Sequence, residues 1–136
     1  SYRLLVVADG DRAVFEKGLT ANNAGANLDP MAVSLSPAAN LVVDAVSAPV
    51  AGLPLQTVTV AWTVRNAGEA EARGPWVDRV FFSPDGTLTG AVQIGQFARA
   101  AGLAAGATYD ATLDVALPDS VDGSFRILVL TDAANQ

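Results

Sequence analysis

Hydrophobic and polar residues alternate along much of the chain, and the alternation is clearest between Thr57 and Arg65. Apolar side chains occupy every second position there, and threonine, alanine or arginine fills the positions between. The apolar positions are Val58, Val60, Trp62 and Val64. Because successive side chains of a strand point to opposite faces, the pattern predicts a strand buried on one face.

Similar but shorter patterns predict five more strands in the same part of the chain. They cover Leu41–Val46, Trp76–Ser83, Gln93–Phe97, Tyr109–Leu117 and Phe125–Thr131. The alanine-rich segment from Ala98 to Ala107 is interpreted as a loop that places Leu103 in the core, because its two glycines disfavour a helix. Short strands, regular turns and no long helical periodicity predict an all-β fold, an antiparallel β-sandwich of immunoglobulin type.

The first 36 residues have a less regular pattern. Residues 2–8 are largely apolar at odd and even positions alike, which predicts a central strand buried on both faces. Val14 and Phe15 predict a short strand, and the polar segment Glu16–Asn27 predicts a loop. Met31–Ser36 alternates and predicts a strand buried on one face.

The opening stretch recurs near the end of the chain. Ser1–Asp9 and Ser124–Asp132 lie 123 residues apart and are identical at five of nine positions. This spacing predicts one period of a tandem array, cut inside a strand. We therefore expect residues 1–36 to supply the last two strands, F and G, of a preceding immunoglobulin-like repeat. Residues 37–39 would be the connector, and residues 40–136 a repeat with strands A, B, C, C′, E and F that lacks its last strand.

Four segments resemble a known family, the CARDB domains (cell-adhesion-related domain found in bacteria). The first segment combines Asn40–Val43 with Val46–Pro49. The second is Val58–Gly68 and the third is Trp76–Gly86. The fourth combines Asp9 with Val14–Glu16 and Asn22-Asn23. The chain has Asn40 where the family typically has Asp before strand A. The resemblance implies tandem extracellular immunoglobulin-like modules in large bacterial or archaeal surface proteins, and no catalytic residues.

Composition narrows the function classes. The chain has a net charge of −6 and a single lysine, Lys17, so nucleic acid and anionic membranes are poor partners. It has no cysteine and no histidine, which excludes disulfides, thiolate metal sites and histidine-based catalysis. No run of about 18 apolar residues is present, so we expect no membrane insertion.

One turn carries a weak calcium pattern. Asp9, Asp11 and Glu16 are oxygen ligands spaced closely enough to hold Ca²⁺. The alternative, which we favour, is a turn in which Asp9 bonds its own backbone and Glu16 is solvated or caps backbone groups. Asn22 and Asn23 would complete such a site or, as we expect, cap loop backbone. We therefore predict no cofactor, with Ca²⁺ as the one exception that this turn leaves open.

Other candidate residues have simpler interpretations. Trp62 and Trp76 would suit a sugar platform if exposed, but Trp62 falls on the apolar face and is expected in the core. Asp78 shares the apolar face of its strand and needs partners, for which backbone amides are the expectation and a rim metal site the alternative. Asp110, Asp114 and Asp119 suggest paired carboxylates, but a solvated strand face explains the first two.

These observations predict a noncatalytic structural spacer of a large secreted or surface-attached prokaryotic protein. It would build an adhesive stalk or fibre, with neighbouring copies of the repeat as partners and an adhesion target that the sequence leaves open. Assembly would be tandem or head-to-tail, with Met31–Ser36 of one copy completing the next as strand G. The alternatives are an accessory carbohydrate or Ca²⁺ module of an exported protein and a noncatalytic fragment appended to an exported enzyme.

Overall fold

The computed structural model describes residues 1–132, which fall into two compact units: Ser1–Ser36 and the chain from Pro37 onward. Within these residues there are eight strands, one short 3-10 helix and no α-helix. The first unit contains β1 (Leu5–Val7), the 3-10 helix (Thr20–Asn22) and β2 (Ala24–Ala26). The second unit contains β3 (Leu41–Ser47), β4 (Thr57–Asn66), β5 (Trp76–Ser83), β6 (Val92–Arg99), β7 (Thr108–Ala116) and β8 (Arg126–Leu130).

The second unit is a sandwich of two three-stranded antiparallel sheets. One sheet has the order β3-β4-β7 and the other the order β6-β5-β8. These orders correspond to strands A-B-E and C′-C-F of an immunoglobulin-like domain. The predicted fold class is confirmed, and all six predicted strands of this unit are present with ends shifted by no more than two residues.

The core lies between the two sheets and follows the alternation of β4. Val58, Val60, Trp62 and Val64 are all buried, as are Val80 and Phe82 on the facing strand β5. Leu103 is 4% exposed and lies in a loop, where it exchanges two backbone hydrogen bonds with Ala72. Leu103 therefore lies in a loop and in the core, as predicted. The loop begins later than the predicted Ala98, because β6 continues to Arg99.

Three residues on the inward faces of their strands are only half-buried: Leu113, Ile127 and Val129. They belong to β7 and β8, and each of these strands pairs with a single neighbour within the described residues. A strand at the edge of a sheet has one side open to solvent, which accounts for the partial cover of Ile127 and Val129 on β8. Edge position does not account for Leu113, because Tyr109, Ala111 and Val115 of the same strand are buried.

In the first unit the strand predicted to be buried on both faces is exposed. Only Leu5–Val7 is strand, and it pairs with β2 in the register Leu5↔Ala26, Val6↔Gly25, Val7↔Ala24. Val6 is 71% exposed. The prediction of burial is wrong because a two-stranded ribbon of three-residue strands provides no second layer against which apolar side chains can pack.

Two more predictions for this unit are wrong. Val14 and Phe15 form no strand, and Phe15 is 87% exposed. Met31–Ser36 is not a strand either: Met31 makes an isolated bridge to Tyr2, and Leu35 is 98% exposed. The strand that pairs with β1 lies earlier, inside the segment predicted to be a loop, where small residues allow close backbone pairing.

Removing the largest core side chain should show how far the fold depends on β4. Trp62 is 2% exposed, and Trp62→Ala should lower the free energy of unfolding by about 3–5 kcal/mol because it leaves a cavity. Thr57→Ala, on an exposed position of the same strand, should change it by less than about 0.5 kcal/mol. Chemical denaturation measures both, and a loss below about 1 kcal/mol for Trp62→Ala would contradict the observed packing.

Candidate functional site

The most unusual chemical feature of the second unit is a carboxylate in its core. The alternation of β5 places Asp78 on the inward face, where it is 0% exposed. Its Oδ2 accepts a hydrogen bond from Trp62 Nε1 at 2.8 Å and another from the Tyr109 hydroxyl at 2.6 Å. Both donors belong to the opposite sheet, so this one oxygen joins the two layers. Backbone amides were the expected partners of Asp78, and that expectation is wrong.

Further aromatic and cationic groups surround this carboxylate. Trp76 Nε1 donates to the Tyr109 hydroxyl oxygen at 3.2 Å. The Arg99 guanidinium carbon lies 4.1 Å from the Tyr109 ring centroid and 5.6 Å from that of Trp76, within the range of cation–π attraction. We call Trp62, Trp76, Asp78, Tyr109 and Arg99 the polar core cluster. Burial, followed by the hydrogen bond to Asp78, raises the pKa of Tyr109 to about 12.

The polar core cluster supports structure and offers little to a ligand. Asp78 is sealed from solvent, and its Oδ1 has no hydrogen-bond partner among the described residues. Trp62 and Trp76 are 2% and 4% exposed, so neither ring forms a sugar platform. Trp62 instead packs edge-on against Phe97 at 5.7 Å between ring centroids.

Both carboxylate oxygens of Asp9 accept hydrogen bonds from backbone groups of the turn that follows it. Its Oδ1 accepts from the backbone N–H of Ala13 at 2.7 Å, and its Oδ2 from that of Val14 at 3.0 Å. Asp9 itself has a φ of 46°, a left-handed conformation that aspartate tolerates in turns. The residue thus holds the turn that follows β1.

The other calcium candidates bond to different partners. Glu16 Oε2 accepts from Asn23 Nδ2 at 2.7 Å, and the Asn23 carbonyl accepts from the Ala8 N–H. Asn22 lies in the 3-10 helix. The structure does not gather Asp9, Asp11 and Glu16: residues 1–132 contain no group of three or more His, Cys, Asp or Glu that could hold a metal ion.

The acidic residues of β7 lie on the solvent face of their sheet. Asp110 accepts from the Thr63 hydroxyl and Asp114 from the Thr59 hydroxyl, both at 2.6 Å. Each pair sits directly across the β4–β7 ladder, where cross-strand pairs stabilise a sheet. Asp119 lies outside this strand and is exposed. Asp110 and Asp114 therefore form cross-strand pairs with threonines, and these two carboxylates do not line a pocket.

Sequence reasoning missed Asn66, which is 0% exposed. Its Oδ1 accepts from the backbone N–H of Asn40 and of Gly68, and its Nδ2 donates to the carbonyls of Ala70 and Leu103. All four bonding positions of the amide are therefore used. A Cβ on Gly68 would lie 2.3 Å from the Ala38 carbonyl oxygen, so only glycine allows this close approach. An asparagine at the end of an alternating strand, followed by Ala-Gly, was the available signal.

Two exposed aspartates also act locally. Asp85 accepts from the Thr87 backbone N–H at 2.8 Å, and this bond lowers the pKa of its carboxyl. Asp44 accepts two hydrogen bonds from Arg65, at 2.7 and 3.0 Å, and its pKa is lowered for that reason. The Asp85 contact lies within a turn, and the Asp44 contact joins β3 to β4; both are at the surface.

Two grooves mark the ends of the sandwich. The Trp76 groove has a volume of about 600 Å³ and is lined by Leu41, Arg73, Trp76, Leu130 and Thr131, among others. The Phe125 groove has a volume of about 280 Å³ and is lined by Pro49, Val58, Phe82, Phe125 and Ile127, among others. In the second groove the rings of Phe82 and Phe125 stack at 4.3 Å between centroids.

None of the helical residues among 1–132 forms a segment with the length and hydrophobicity of a membrane-spanning helix. The family model CARDB matches residues 38–136, which is most of the chain and nearly all of the second unit. The chain matches no curated protein and no solved structure.

Chelation tests the calcium alternative. We expect EDTA to leave the melting temperature unchanged, because Asp9 and Glu16 already bond to protein donors. Ca²⁺ bound only to the native state would stabilise it by mass action. A drop in melting temperature with EDTA that disappears in Asp11→Asn would contradict this expectation.

The raised pKa of Tyr109 predicts a stability loss at high pH. In the unfolded chain a tyrosine ionises near pH ~10, whereas folded Tyr109 keeps its proton to a pKa of about 12. The unfolded state therefore binds fewer protons in this interval. The stabilisation is fully present below the lower value and is lost as the pH rises through the upper one.

Chemical denaturation at several alkaline pH values should show a steeper fall for the wild type than for Tyr109→Phe. Tyr2→Phe is the matched control, because Tyr2 is 63% exposed and should leave the pH dependence of the wild type unchanged. If the free energy of unfolding falls equally steeply with pH in the wild type and in Tyr109→Phe, the burial of the phenol is contradicted.

Proposed function

The chain belongs to the CARDB family, and we propose that it is a noncatalytic spacer module of a large secreted or surface-attached prokaryotic protein. CARDB domains are adhesion-related and occur in bacterial surface-associated proteins. In this proposal, copies joined in tandem or head to tail build an adhesive stalk or fibre, and neighbouring copies of the repeat are the partners.

The observation that carries the proposal is the internal repeat. Ser1–Asp9 and Ser124–Asp132 differ little and lie 123 residues apart, a separation that suits one whole sandwich domain. The later copy contains β8, the F strand of the second unit. A strand that recurs at the spacing of a whole domain is what an array of similar domains would produce.

The chemistry of the side chains supports a noncatalytic role. Asp78 is sealed in the core, and Asp110 and Asp114 bond to threonines across the sheet. The chain also lacks histidine and cysteine, the residues that most often supply a base or nucleophile near neutral pH. A net charge of −6 disfavours nucleic acid and anionic lipid as partners.

The alternative, an accessory module that binds carbohydrate or Ca²⁺, has weaker support. Both tryptophans are buried, and the carboxylates of Asp9 and Glu16 in the first unit have protein partners. An extracellular location fits the absence of any free thiol that could oxidise.

Proteins with several copies in tandem test the spacer function. Proteins with one, two, three and four copies of the 123-residue period should grow by a constant increment in maximum dimension, measured by small-angle X-ray scattering. A ten-residue strand such as β4 sets this increment at about 30–40 Å once its turns are included.

The matched control replaces the connector Pro37-Ala38-Ala39 in each repeat by an equally long Gly/Ser linker. Flexible linkers let the modules reorient, so the controls should lengthen less per added copy than the native series. A native series that grows no faster than the controls would contradict a role as a spacer.

A further inference from the structure

The two sheets of the second unit carry opposite charge. Strands β5, β6 and β8 contain three arginines and one carboxylate, that of Asp78, which lies in the core. Strands β3, β4 and β7 contain three aspartates and one arginine, Arg65, which is paired with Asp44. One outer surface of the sandwich is therefore basic and the other acidic.

The basic surface is also apolar. Alternation along β5 turns every second side chain away from the core, and the register with β6 and β8 adds their residues on the same side. No aspartate or glutamate of these three strands points outward. We call this surface the Arg79 face, and the residues at its centre are Val77, Arg79, Phe81, Gln96, Leu128 and Leu130.

Arg79 lies in the middle of this face without a partner. It makes no hydrogen bond or ion pair within residues 1–132, and its Nε is buried. Its cross-strand neighbours are Gln96 and Leu130, neither of which is charged. A guanidinium that another protein surface covers needs a carboxylate opposite it, because burying an unpaired charge is costly. The Arg79 face therefore fits a partner that presents carboxylates.

The outward residues of β8 recur in the first unit. By the 123-residue repeat, Arg126 and Leu128 are identical to their counterparts, and Leu130 corresponds to a valine. The inward residues are retained less strictly: only Val129 is identical, while isoleucine and phenylalanine replace leucine and tyrosine. Packing of the core alone predicts the reverse, since close-packed interiors tolerate change least. Contact with a partner surface accounts for apolar residues that are kept on an outward face.

The opposite surface of the same unit presents carboxylates. Asp110 and Asp114 point outward from β7 and accept from threonine hydroxyls through Oδ1, and in both Oδ2 makes no hydrogen bond within residues 1–132. The residues around them are threonine and alanine, which keep the surface flat and expose methyl groups. We call this surface the Asp110 face, and it consists of Thr59, Ala61, Thr63, Asp110, Thr112 and Asp114.

We propose that the Arg79 face of one copy packs against the Asp110 face of a second copy, with Arg79 paired to a carboxylate of β7. This inference rests on the proposed array and names the surfaces through which separate arrays associate side by side. Two Arg79 faces do not suit each other, because each brings a guanidinium and no carboxylate. The two faces lie on opposite sides of one sandwich, so the contact joins unlike surfaces and repeats without closing.

The contact is small, which suits association between arrays. Three short strands side by side cover about 350 Å² on each copy. The total lies well below the roughly 1,200 Å² of a stable interface, so single copies associate weakly. Arrays that meet along their length make many such contacts at once, and linked contacts raise the overall affinity far above that of one.

Self-association of the full chain tests the proposal. Sedimentation equilibrium at low ionic strength, from micromolar to millimolar protein, should show a molar mass that rises with concentration. Arg79→Glu replaces attraction by repulsion and should weaken association about tenfold or more. Arg73→Glu is the matched control, because it makes the same charge change at an exposed loop residue and should associate as the wild type does. A chain that stays monomeric at millimolar concentration, or equal association of both variants, would overturn the proposal.

A charge exchange identifies the acidic partner surface. The double variant Asp110→Lys, Asp114→Lys should also lose self-association, because its lysines face Arg79 of the next copy. Mixed with Arg79→Glu, it should associate again, since every contact in an alternating chain then pairs opposite charges. Melting temperatures show that each variant is folded. A mixture that sediments as the sum of its two components would refute the Asp110 face as the partner surface.

The outcome is independent of the test of spacer function. Tandem proteins that fail to lengthen, together with association that depends on Arg79, would reject the spacer and keep the contact between faces. Tandem proteins that lengthen normally, with a full chain that stays monomeric, would reject the contact alone.

Discussion

The carboxylate of Asp78 is the contact on which the two-layer arrangement most depends. A polar group without partners is costly in a protein interior, so a buried carboxylate constrains whatever surrounds it. Here one oxygen takes its hydrogen bonds from Trp62 on β4 and Tyr109 on β7, while Asp78 itself belongs to β5. Sliding either sheet would break these bonds. The cluster therefore fixes how the two sheets are aligned, which apolar side chains alone specify less strictly.

The polar side chains of Asp78 and Asn66 lie in the interior of the second unit. A partner would therefore contact backbone groups more than these side chains. Three of the unit's surface carboxylates, those of Asp114, Asp110 and Asp44, are engaged by Thr59, Thr63 and Arg65 respectively. Within the described residues, β3, β6, β7 and β8 each pair with a single neighbour, so each presents a strand edge. A sandwich of this kind suits the proposed spacer role, since that role needs no catalytic or ligand-binding group.

The sequence predicted the second unit well and the first unit poorly, for one physical reason. In β4 the alternation of Val58, Val60, Trp62 and Val64 is enforced by a facing sheet, so pattern and burial agree. In β1 the same kind of apolar run has no facing layer, and Val6 stays exposed. Side-chain pattern shows which face would be buried, but whether a covering layer exists depends on long-range pairing that one segment does not encode.

The polar contacts were predicted least well. Asp78 was recognised as inward-facing, but its partners lie 16 and 31 residues away in sequence and on the other sheet. Asn66 likewise connects segments up to 37 residues apart. The pairing of Ala24–Ala26 with β1 was missed because alanine and glycine have low strand propensity. Next to it, the Leu4 N–H bonds to the side chain of Asn27, a contact that the hydrophobic pattern does not show.

A double-mutant cycle on Tyr109 and Asp78 tests the cross-sheet account most directly. Free energies of unfolding would be measured by chemical denaturation for the wild type, Tyr109→Phe, Asp78→Leu and the double variant. If the carboxylate joins the sheets through this hydroxyl, Tyr109→Phe should cost about 1–3 kcal/mol with Asp78 present and much less with Leu in its place. Effects that add within about 0.5 kcal/mol would contradict the account, because contacting residues should show a coupling energy larger than that.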